Sequence, residues 1–352
     1  MLKYGYLNYN RLHIVCCSFF LGNEIKALLT AAEIGNLEKM KMIVQAVEEF
    51  EMKENWIRQG DKKGRTTLHH ACIYGYTNLI TYLVNEVIES FEDADLRSEL
   101  LNMPDYKGRT PLFHGAVEMR PDVVRFLIKR GAKIETITNE KHIEPGSTLL
   151  MACAEKNSHE CFKVLIQEGA DILTTREDGA DALYIAARYG HINIIEKLAE
   201  NVNFGSIVNR PTFRGRTALL TAAFHGHIQV CKLLYTKGAN LNHQDDNGFT
   251  ALIYAASEGY LDLVNWLVSN RANTFLRNSS GKTAVKCAEE NGHTEIVRCL
   301  KIRQEVTAEK IGDDAKDKLK WGSKLDSATA ALGAVKMFTK KPGQKRMPKK
   351  SR

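Results

Sequence analysis

The sequence predicts an all-α repeat solenoid in which stacked helix-turn-helix units are joined by β-hairpin loops. A short G-x-T-x-L-like motif recurs seven times, and three of the six spacings between copies are 33 residues. Most copies are followed at constant offsets by a glycine, an apolar pair and a leucine. A recurring period of this length indicates units that bury their apolar faces only by stacking on one another. The seven copies, which define repeats one to seven, begin at Gly64, Gly108, Gly146, Gly179, Gly215, Gly248 and Gly281.

Each motif predicts the start of the first helix of its unit. Its threonine can accept a hydrogen bond from an unpaired backbone N–H of the first turn, and Pro111 suits the first helical position because no N–H is needed there. Small residues, mostly alanine, then let two antiparallel helices pack closely. The following glycine lies just past the first helix, where a left-handed residue is favoured. Gly-Ala pairs such as Gly238 and Ala239 lead from the second helix into the hairpin.

The repeated motif resembles that of the ankyrin repeat family. Thr66–Ala71 reads TTLHHA and Thr110–Ala116 reads TPLFHGA, close to the T-P-L-H-x-A core of that family. His69 occupies the position of the family's structural histidine. The resemblance covers residues 23–300, as a degenerate N-terminal cap followed by seven repeats. It implies a binding module, not an enzyme, that holds another protein against its concave face.

Repeats two and three depart most from the pattern. Gly115 and Cys153 replace the usual alanine, and Met119 and Asn157 replace the glycine after the first helix. We therefore expect these two repeats to be the least regular. The spacing of 44 residues between the first two motifs adds 11 residues to the period, within an acidic stretch at residues 85–105. This stretch predicts a lengthened second helix and an acidic loop at the hairpin edge.

Residues 1–22 are expected to form a poorly ordered N-terminal extension. Its apolar stretch, Leu12–Gly22, is similar to the core of a secretion signal but lacks a clear cleavage site of small residues. It is also far shorter than the roughly 20 apolar residues that cross a bilayer, so no transmembrane segment is predicted. Eight scattered cysteines without a CxxC pair favour reduced thiols in a cytoplasmic or nuclear protein. Secretion is the alternative.

Residues 301–352 form a basic tail that we predict to be partly helical and then disordered. The tail holds 15 basic and 6 acidic residues, whereas residues 1–300 hold 34 basic and 36 acidic residues. Such a run is typical of a nuclear import signal, of a segment that binds nucleic acid or an anionic membrane, or of a solvated end. The import signal would consist of Lys340, Lys341, Lys345, Arg346, Lys349 and Lys350.

The sequence contains no motif that indicates catalysis, a cofactor or a metal site. Residues 281–283 read GKT, like the end of a phosphate-binding loop, but that motif requires a glycine where Leu276 stands. His225 and His227 have no cysteine or carboxylate at a spacing suited to zinc. We therefore expect neither an enzyme nor a bound cofactor or metal.

The resemblance places the partner-binding surface on the hairpin tips and the exposed side of the first helices. Aromatic and arginine side chains, which are enriched in interface hot spots, occupy many of these positions. An acidic or amphipathic segment of a partner protein is therefore expected, with nucleic acid contacted only through the tail. The last two repeats instead present Ser257, Glu258, Glu289 and Glu290, which predict an acidic end. The predicted groove residues are Lys62, Lys63, Arg65, Tyr74, Tyr106, Lys107, Arg109, Arg188, Tyr189, Phe213, Arg214, Arg216, Phe224, His225 and Phe249.

Two functions stay open at this point. The first is an intracellular adaptor or scaffold that binds a partner protein in its groove. The second is a nuclear regulator whose tail contacts nucleic acid or the import machinery. One modification site is also implied by the resemblance: Asn242, eight residues after Leu234, matches the hairpin asparagine that a hydroxylase modifies in many ankyrin proteins. The alternative is a turn asparagine whose amide bonds to nearby backbone.

Overall fold

The computed structural model describes residues 23–48, 53–135 and 146–305. The N-terminal extension and the tail beyond residue 305 lie outside the described residues. Antiparallel helix pairs stack on one another in chain order, which confirms the predicted all-α repeat solenoid. Between the pairs, the hairpin loops are closed by turn hydrogen bonds and not by runs of paired strand.

The helices follow the repeat motifs closely. In chain order they are α1 (residues 23–34), α2 (Leu37–Glu48), α3 (Lys53–Arg58), α4 (Thr67–Tyr74), α5 (Thr77–Tyr82), α6 (Ala94–Leu101), α7 (Pro111–Val117), α8 (Pro121–Lys129), α9 (Leu149–Lys156), α10 (His159–Gln167), α11 (Ala182–Tyr189), α12 (Ile192–Leu198), α13 (Phe204–Ile207), α14 (Ala218–Phe224), α15 (Ile228–Thr236), α16 (Ala251–Glu258), α17 (Leu261–Ser269), α18 (Ala284–Glu290) and α19 (residues 294–305). Helix α5 continues directly as a π-helix, Leu83–Ile88.

The core is a continuous stripe that runs through the stack. Helix α14, the first helix of repeat five, packs against α11 and α16, which are the first helices of the repeats on either side. The motif alanines Ala186, Ala222 and Ala255 are fully buried at these contacts. Because each first helix needs a neighbour to cover it, the core is built between units as well as within them.

The helix starts are capped as the motif predicts. Thr217 and Thr250 each accept a hydrogen bond from the backbone N–H three residues later, at 3.4 and 3.2 Å between oxygen and nitrogen. Repeat four has an aspartate in place of the threonine, and Asp181 caps the helix in the same way, accepting from the N–H of Tyr184 at 2.9 Å. Asp181 is buried, which gives this repeat an ionisable group that the threonine caps lack.

The irregular positions follow the same backbone path as the glycine repeats, but with conformational strain. Met119 and Asn157, which replace the usual glycine, adopt left-handed φ values of 59° and 57°. Arg271 does the same at 65° where other repeats have the glycine of a Gly-Ala pair. A left-handed conformation costs an ordinary side chain about 1–2 kcal/mol, and asparagine less than methionine. Repeats two and three therefore follow the regular path under strain that the glycine repeats avoid.

The acidic stretch between the first two repeats differs in part from the expectation. The second helix is lengthened, as expected, through the π-helix Leu83–Ile88. The predicted acidic loop is wrong for most of its length, because residues 94–101 form helix α6. The side chain of Asp93 caps this helix by accepting the N–H of Asp95 at 2.8 Å, so one of the acidic residues starts a helix.

Candidate protein-binding groove

Carboxylates hold the hairpin turns that frame the groove. The Asp61 side chain accepts the backbone N–H groups of Lys63 and Arg65 at 2.7 and 3.0 Å, and Asp105 does the same in repeat two. Burial would raise the pKa of Asp61, but its hydrogen bonds from Arg65 and Lys63 outweigh burial and lower the pKa to about 2. The turns are therefore held by charged acceptors at neutral pH.

Aromatic rings lock successive repeats together along one edge of the groove. The Nε2 atom of His227 donates to the carbonyl oxygen of Arg188 at 3.0 Å, and His293 does the same to the repeat before it. The His227 ring lies directly over Gly190, where a Cβ atom would come within 2.8 Å of it. This contact and the left-handed φ of 77° together require glycine at position 190.

Repeats four and five form a cleft of about 490 Å³ on the groove side, which we call the basic cleft. Its size falls within the usual range of ligand-binding clefts. Six predicted groove residues line it, and the sequence analysis missed four more. The lining residues are Asp178, Tyr184, Arg188, Thr212, Phe213, Arg214, Arg216, Thr221, Phe224 and His225.

Arg216 is held in place by rings and by one carboxylate. Its guanidinium lies 5.6 Å from the ring centroid of Phe224 and 5.4 Å from that of Tyr254. Its Nε atom is 3.6 Å from the buried carboxylate of Asp245, which also accepts a hydrogen bond from the Tyr254 hydroxyl. Because these contacts orient the side chain without burying it, Arg216 can present N–H groups to a ligand.

The basic cleft has a positive electrostatic environment. Burial lowers the pKa of His225, and the nearby His227, Arg188 and Arg216 lower it further, whereas Glu258 acts in the opposite direction. The same positive charges that disfavour a protonated His225 favour an anionic ligand. The cleft therefore prefers negative charge.

A second cleft, of about 360 Å³, is lined by residues of repeats one, two and three. The predicted residues Arg65 and Arg109 line it, together with the acidic Glu118 and Glu155. Arg65 is paired with Asp61 at 2.6 Å, and Arg109 lies 5.5 Å from the ring of Phe113. Arg65 thus supports the turn, and this cleft carries both signs of charge.

The predicted acidic end of the groove is largely neutralised. Glu290 pairs with Lys282 at 2.5 Å between oxygen and nitrogen. Glu289 pairs with Lys301 at 2.9 Å and with Lys286 at 3.6 Å. The expected gradient toward an acidic end is therefore wrong for these two glutamates, because lysines from the preceding turn, the same helix and the next helix compensate them. The described groove thus has its clearest charge preference in the basic cleft.

The hairpin tips expose the predicted aromatic and basic side chains. Tyr106 and Phe213 are 80% and 76% exposed at the tips of repeats two and five. Exposed basic side chains flank them, and Tyr74 and Tyr189 are half exposed at the ends of their helices. The exposed basic residues are Lys62, Lys63, Lys107 and Arg214.

Two of the predicted groove aromatics are mainly packing residues. Phe249 stacks on Tyr254 with 4.8 Å between ring centroids, and Phe224 meets the same ring edge-on at 5.3 Å. Both are half-buried. They form walls of the groove and do not project from it as Phe213 does.

The missed cleft residues occupy motif positions whose role differs between repeats. Tyr184 and Thr221 lie three and four positions after the capping residues Asp181 and Thr217. The equivalent positions in the other of these two repeats, Leu220 and Ile185, belong to the buried core, so the motif alone did not assign them to the cleft. Asp178 and Thr212 lie shortly before turn glycines, where sequence alone does not distinguish a lining residue from a turn residue.

Asn242 takes part in a hydrogen-bond ladder along the hairpin edge. Its side-chain oxygen accepts the backbone N–H of Asn273 in the next repeat at 2.8 Å. Asn240 in turn accepts the N–H of Asn242 at 2.9 Å. Asn242 therefore has a structural role between repeats five and six.

His69 also has a structural role. Its Nδ1 atom accepts the N–H of Thr66 at 3.1 Å, and its Nε2 atom donates to the carbonyl of Arg109 in the next repeat at 3.0 Å. Burial, followed by the charge of His114, lowers the pKa of His69 to about 4. Across residues 23–48, 53–135 and 146–305, no His, Cys, Asp and Glu cluster is arranged to hold a metal ion. Within the same ranges, no helix is both long and apolar enough to cross a membrane.

Comparison with known families agrees with the fold. The profile for ankyrin repeats in three copies matches residues 8–97, 28–138, 136–209, 202–278 and 241–310. These matches cover most of the chain, and the chain belongs to the ankyrin repeat family. Members of this family are generally protein-interaction modules and not enzymes.

Similar proteins match this chain over part of its length. The ankyrin repeat domain of Bcl-3, a member of the IkappaB family, superposes with a TM-score of 0.55 and 26% identity, over 68% of this chain and 99% of that domain. Mouse inactive serine/threonine-protein kinase TEX14 is 31% identical over 85 residues, 24% of this chain and 6% of TEX14. Bovine ankyrin repeat and SOCS box protein 3 is 29% identical over 161 residues, 35% of this chain and 29% of its own length. The chain thus spans less than a third of these curated relatives.

Proposed function

We propose that this chain is a non-enzymatic adaptor or scaffold that binds an acidic or amphipathic segment of a partner protein in the basic cleft. The observation that carries the proposal is the cleft lining, which combines three arginines with exposed and half-buried aromatics in repeats four and five. Arginine and aromatic side chains contribute most of the binding energy in many interfaces. The proposal concerns this segment of the groove and leaves the partner's identity open.

The regular stacking of the repeats supports a rigid binding surface. The His227 ring locks repeat five onto repeat four, so the two repeats that form the basic cleft are held together before a ligand arrives. A pre-organised surface loses less conformational entropy on binding. This favours recognition of a flexible segment by a fixed groove.

The proposal is tested by replacing cleft residues that do not support the fold. The triple variant Arg188→Ala, Phe213→Ala and Arg214→Ala removes exposed side chains only. Arg216 is kept because its loss would leave the buried Asp245 carboxylate without its cation. We expect proteins captured from a cell lysate by the wild-type chain to be lost with this variant, while the far-UV circular dichroism is unchanged.

A matched control alters exposed side chains that do not line the basic cleft. The variant Arg125→Ala, Lys129→Ala and Val202→Ala also removes two cations and one exposed apolar side chain. It should capture the same proteins as the wild type. If the cleft variant and the control retain the same proteins equally well, the basic cleft is not the binding site.

We propose nuclear import as a second role, carried by the tail. The basic excess of the chain lies in residues 301–352, with 15 basic and 6 acidic residues. A basic excess that stands outside the repeats favours a signal read independently of the groove. The location would then be cytoplasmic, nuclear or both, depending on that signal.

A further inference from the structure

The basic cleft carries a net positive charge. Its lining includes three arginines and one aspartate, a formal charge of +2. The aspartate, Asp178, is already engaged: it accepts two hydrogen bonds from the Arg176 guanidinium, at 3.3 and 2.9 Å, and one from the N–H of Ala180. Counting Arg176, the Asp245 partner of Arg216 and Glu258, which acts on His225, leaves the balance at +1. An anionic ligand group matches this charge.

The lining also supplies many hydrogen-bond donors. Arg188, Arg214 and Arg216 present guanidinium groups, whose planar N–H pairs match the oxygens of a phosphate. Hydroxyl groups of Tyr184, Thr212 and Thr221 lie in the same lining. A carboxylate offers two oxygens to such donors, whereas a phosphomonoester offers three and carries close to two charges at neutral pH.

We propose that the basic cleft recognises a phosphorylated serine or threonine in the partner segment. This inference rests on the proposed function and names the chemical group that the cleft selects. The phosphate lies among the arginines, and Phe213, which is 76% exposed at the rim, contacts an apolar side chain that flanks the phosphorylated residue. The cleft therefore reads a phosphate together with one apolar neighbour.

A nucleic acid fits the surrounding surface less well. Its phosphodiesters repeat along the chain and require a continuous basic track. The repeats are close to neutral, with 34 basic and 36 acidic residues in residues 1–300. Glu118 and Glu155 line the other groove cleft. One concentrated positive site in a neutral groove matches one anionic group on a protein segment.

The histidine at the rim offers a spectroscopic signature. Without a ligand, burial and the charges of Arg188, Arg216 and His227 hold the pKa of His225 below its usual value, opposed by Glu258. A bound phosphate dianion reverses the sign of the local field, so the pKa of His225 rises on binding. An NMR titration of the His225 ring with phenyl phosphate, which joins a phosphomonoester to an aromatic ring, measures this shift. Benzoate at the same concentration is the carboxylate comparison.

The deciding experiment uses peptide pools on the full chain. Each pool fixes one central residue, phosphoserine, phosphothreonine, glutamate or serine, and randomises the flanking positions. We expect the phosphorylated pools to bind about ten-fold or more tightly than the glutamate and serine pools, since charge-assisted hydrogen bonds to two arginines are gained. Arg188→Ala with Arg214→Ala should abolish this preference, and Arg125→Ala with Lys129→Ala should retain it.

The outcomes separate this inference from the proposed function. Equal binding of glutamate and phosphorylated pools overturns the phosphate preference, as does a lack of binding by all pools. The phosphate preference would also be overturned if a single-stranded oligonucleotide competed for the cleft more effectively than the phosphopeptides do. In the capture experiment, phosphatase treatment of the lysate should remove the cleft-dependent partners. Capture that depends on the cleft but resists phosphatase would leave the proposed function standing and refute the phosphate preference alone.

Discussion

Asp181 makes the stability of repeat four depend on pH. It caps α11 where the other described motif repeats use threonine, and its side chain is 5% exposed. Burial is the main cause that raises its pKa from 3.8 to about 6, opposed by the hydrogen bond from Tyr184 and by Arg210, 3.7 Å away. An acid whose pKa is raised on folding stabilises the fold fully below its unfolded pKa. That contribution is lost as the pH rises through the folded pKa.

The magnitude follows from the shift. Two pKa units correspond to about 3 kcal/mol between pH values below 4 and above 6. Replacing Asp181 with threonine keeps a capping oxygen and removes the buried charge. We therefore expect Asp181→Thr to change the free energy of unfolding little at pH 4. At pH 7.5 the variant should be more stable than the wild type by up to about 3 kcal/mol, reduced by the lost pairing with Arg210.

Urea unfolding at a series of pH values measures this difference. The reverse substitution, Thr217→Asp in repeat five, is the matched control, because Thr217 is a cap buried to the same degree. It should lose stability between pH 4 and pH 7.5 relative to the wild type. Parallel stability curves for the wild type and Asp181→Thr over this range would refute the assignment of a raised pKa to Asp181.

Three further predictions concern the strained turn, the tail and the hairpin edge. Met119→Gly should raise the free energy of unfolding by about 1 kcal/mol because it relieves the strain of a left-handed methionine, and Asn157→Gly should raise it less. Equal gains of the two variants in urea unfolding would contradict the assignment of greater strain to Met119. Deletion of residues 340–352 should lower nuclear accumulation in cells, seen by fluorescence, with an unchanged melting temperature; unaltered localisation would rule out import. Mass spectrometry of chain purified from animal cells should find Asn242 without added oxygen, since its side chain bonds to the next repeat; a hydroxylated peptide would show that the hairpin opens.

The sequence was sufficient to predict those parts of the structure that are local and that recur in each repeat. Threonine caps, turn glycines and closing leucines recur at fixed offsets, so their positions could be predicted one repeat at a time. Buried alanines such as Ala222 followed from the same register. The fold could therefore be predicted before any contact between repeats was known.

Features that depend on contacts between segments could not be predicted in this way. Helix α6 forms in an insertion that has no counterpart in other repeats, so the repeat period could not predict it. The pairing of Glu289 with Lys301 joins helices α18 and α19, and only the packed structure brings these charges together. Similarly, the pattern could not distinguish Phe249, which stacks inside the groove wall, from Phe213, which projects.

The ring-on-glycine contact has a consequence for how the stack unfolds. His227 over Gly190, Tyr260 over Gly226 and His293 over Gly259 couple repeats four to seven. Between repeats two and three, the corresponding position holds the small Ser158, which donates to the carbonyl of Ala116 at 2.7 Å. In a linear array, cooperativity is transmitted from neighbour to neighbour, and a weak interface limits how far it extends. Opening at elevated temperature should therefore begin at the joint between repeats two and three. Amide hydrogen exchange would then show faster exchange there than in the block that contains the basic cleft.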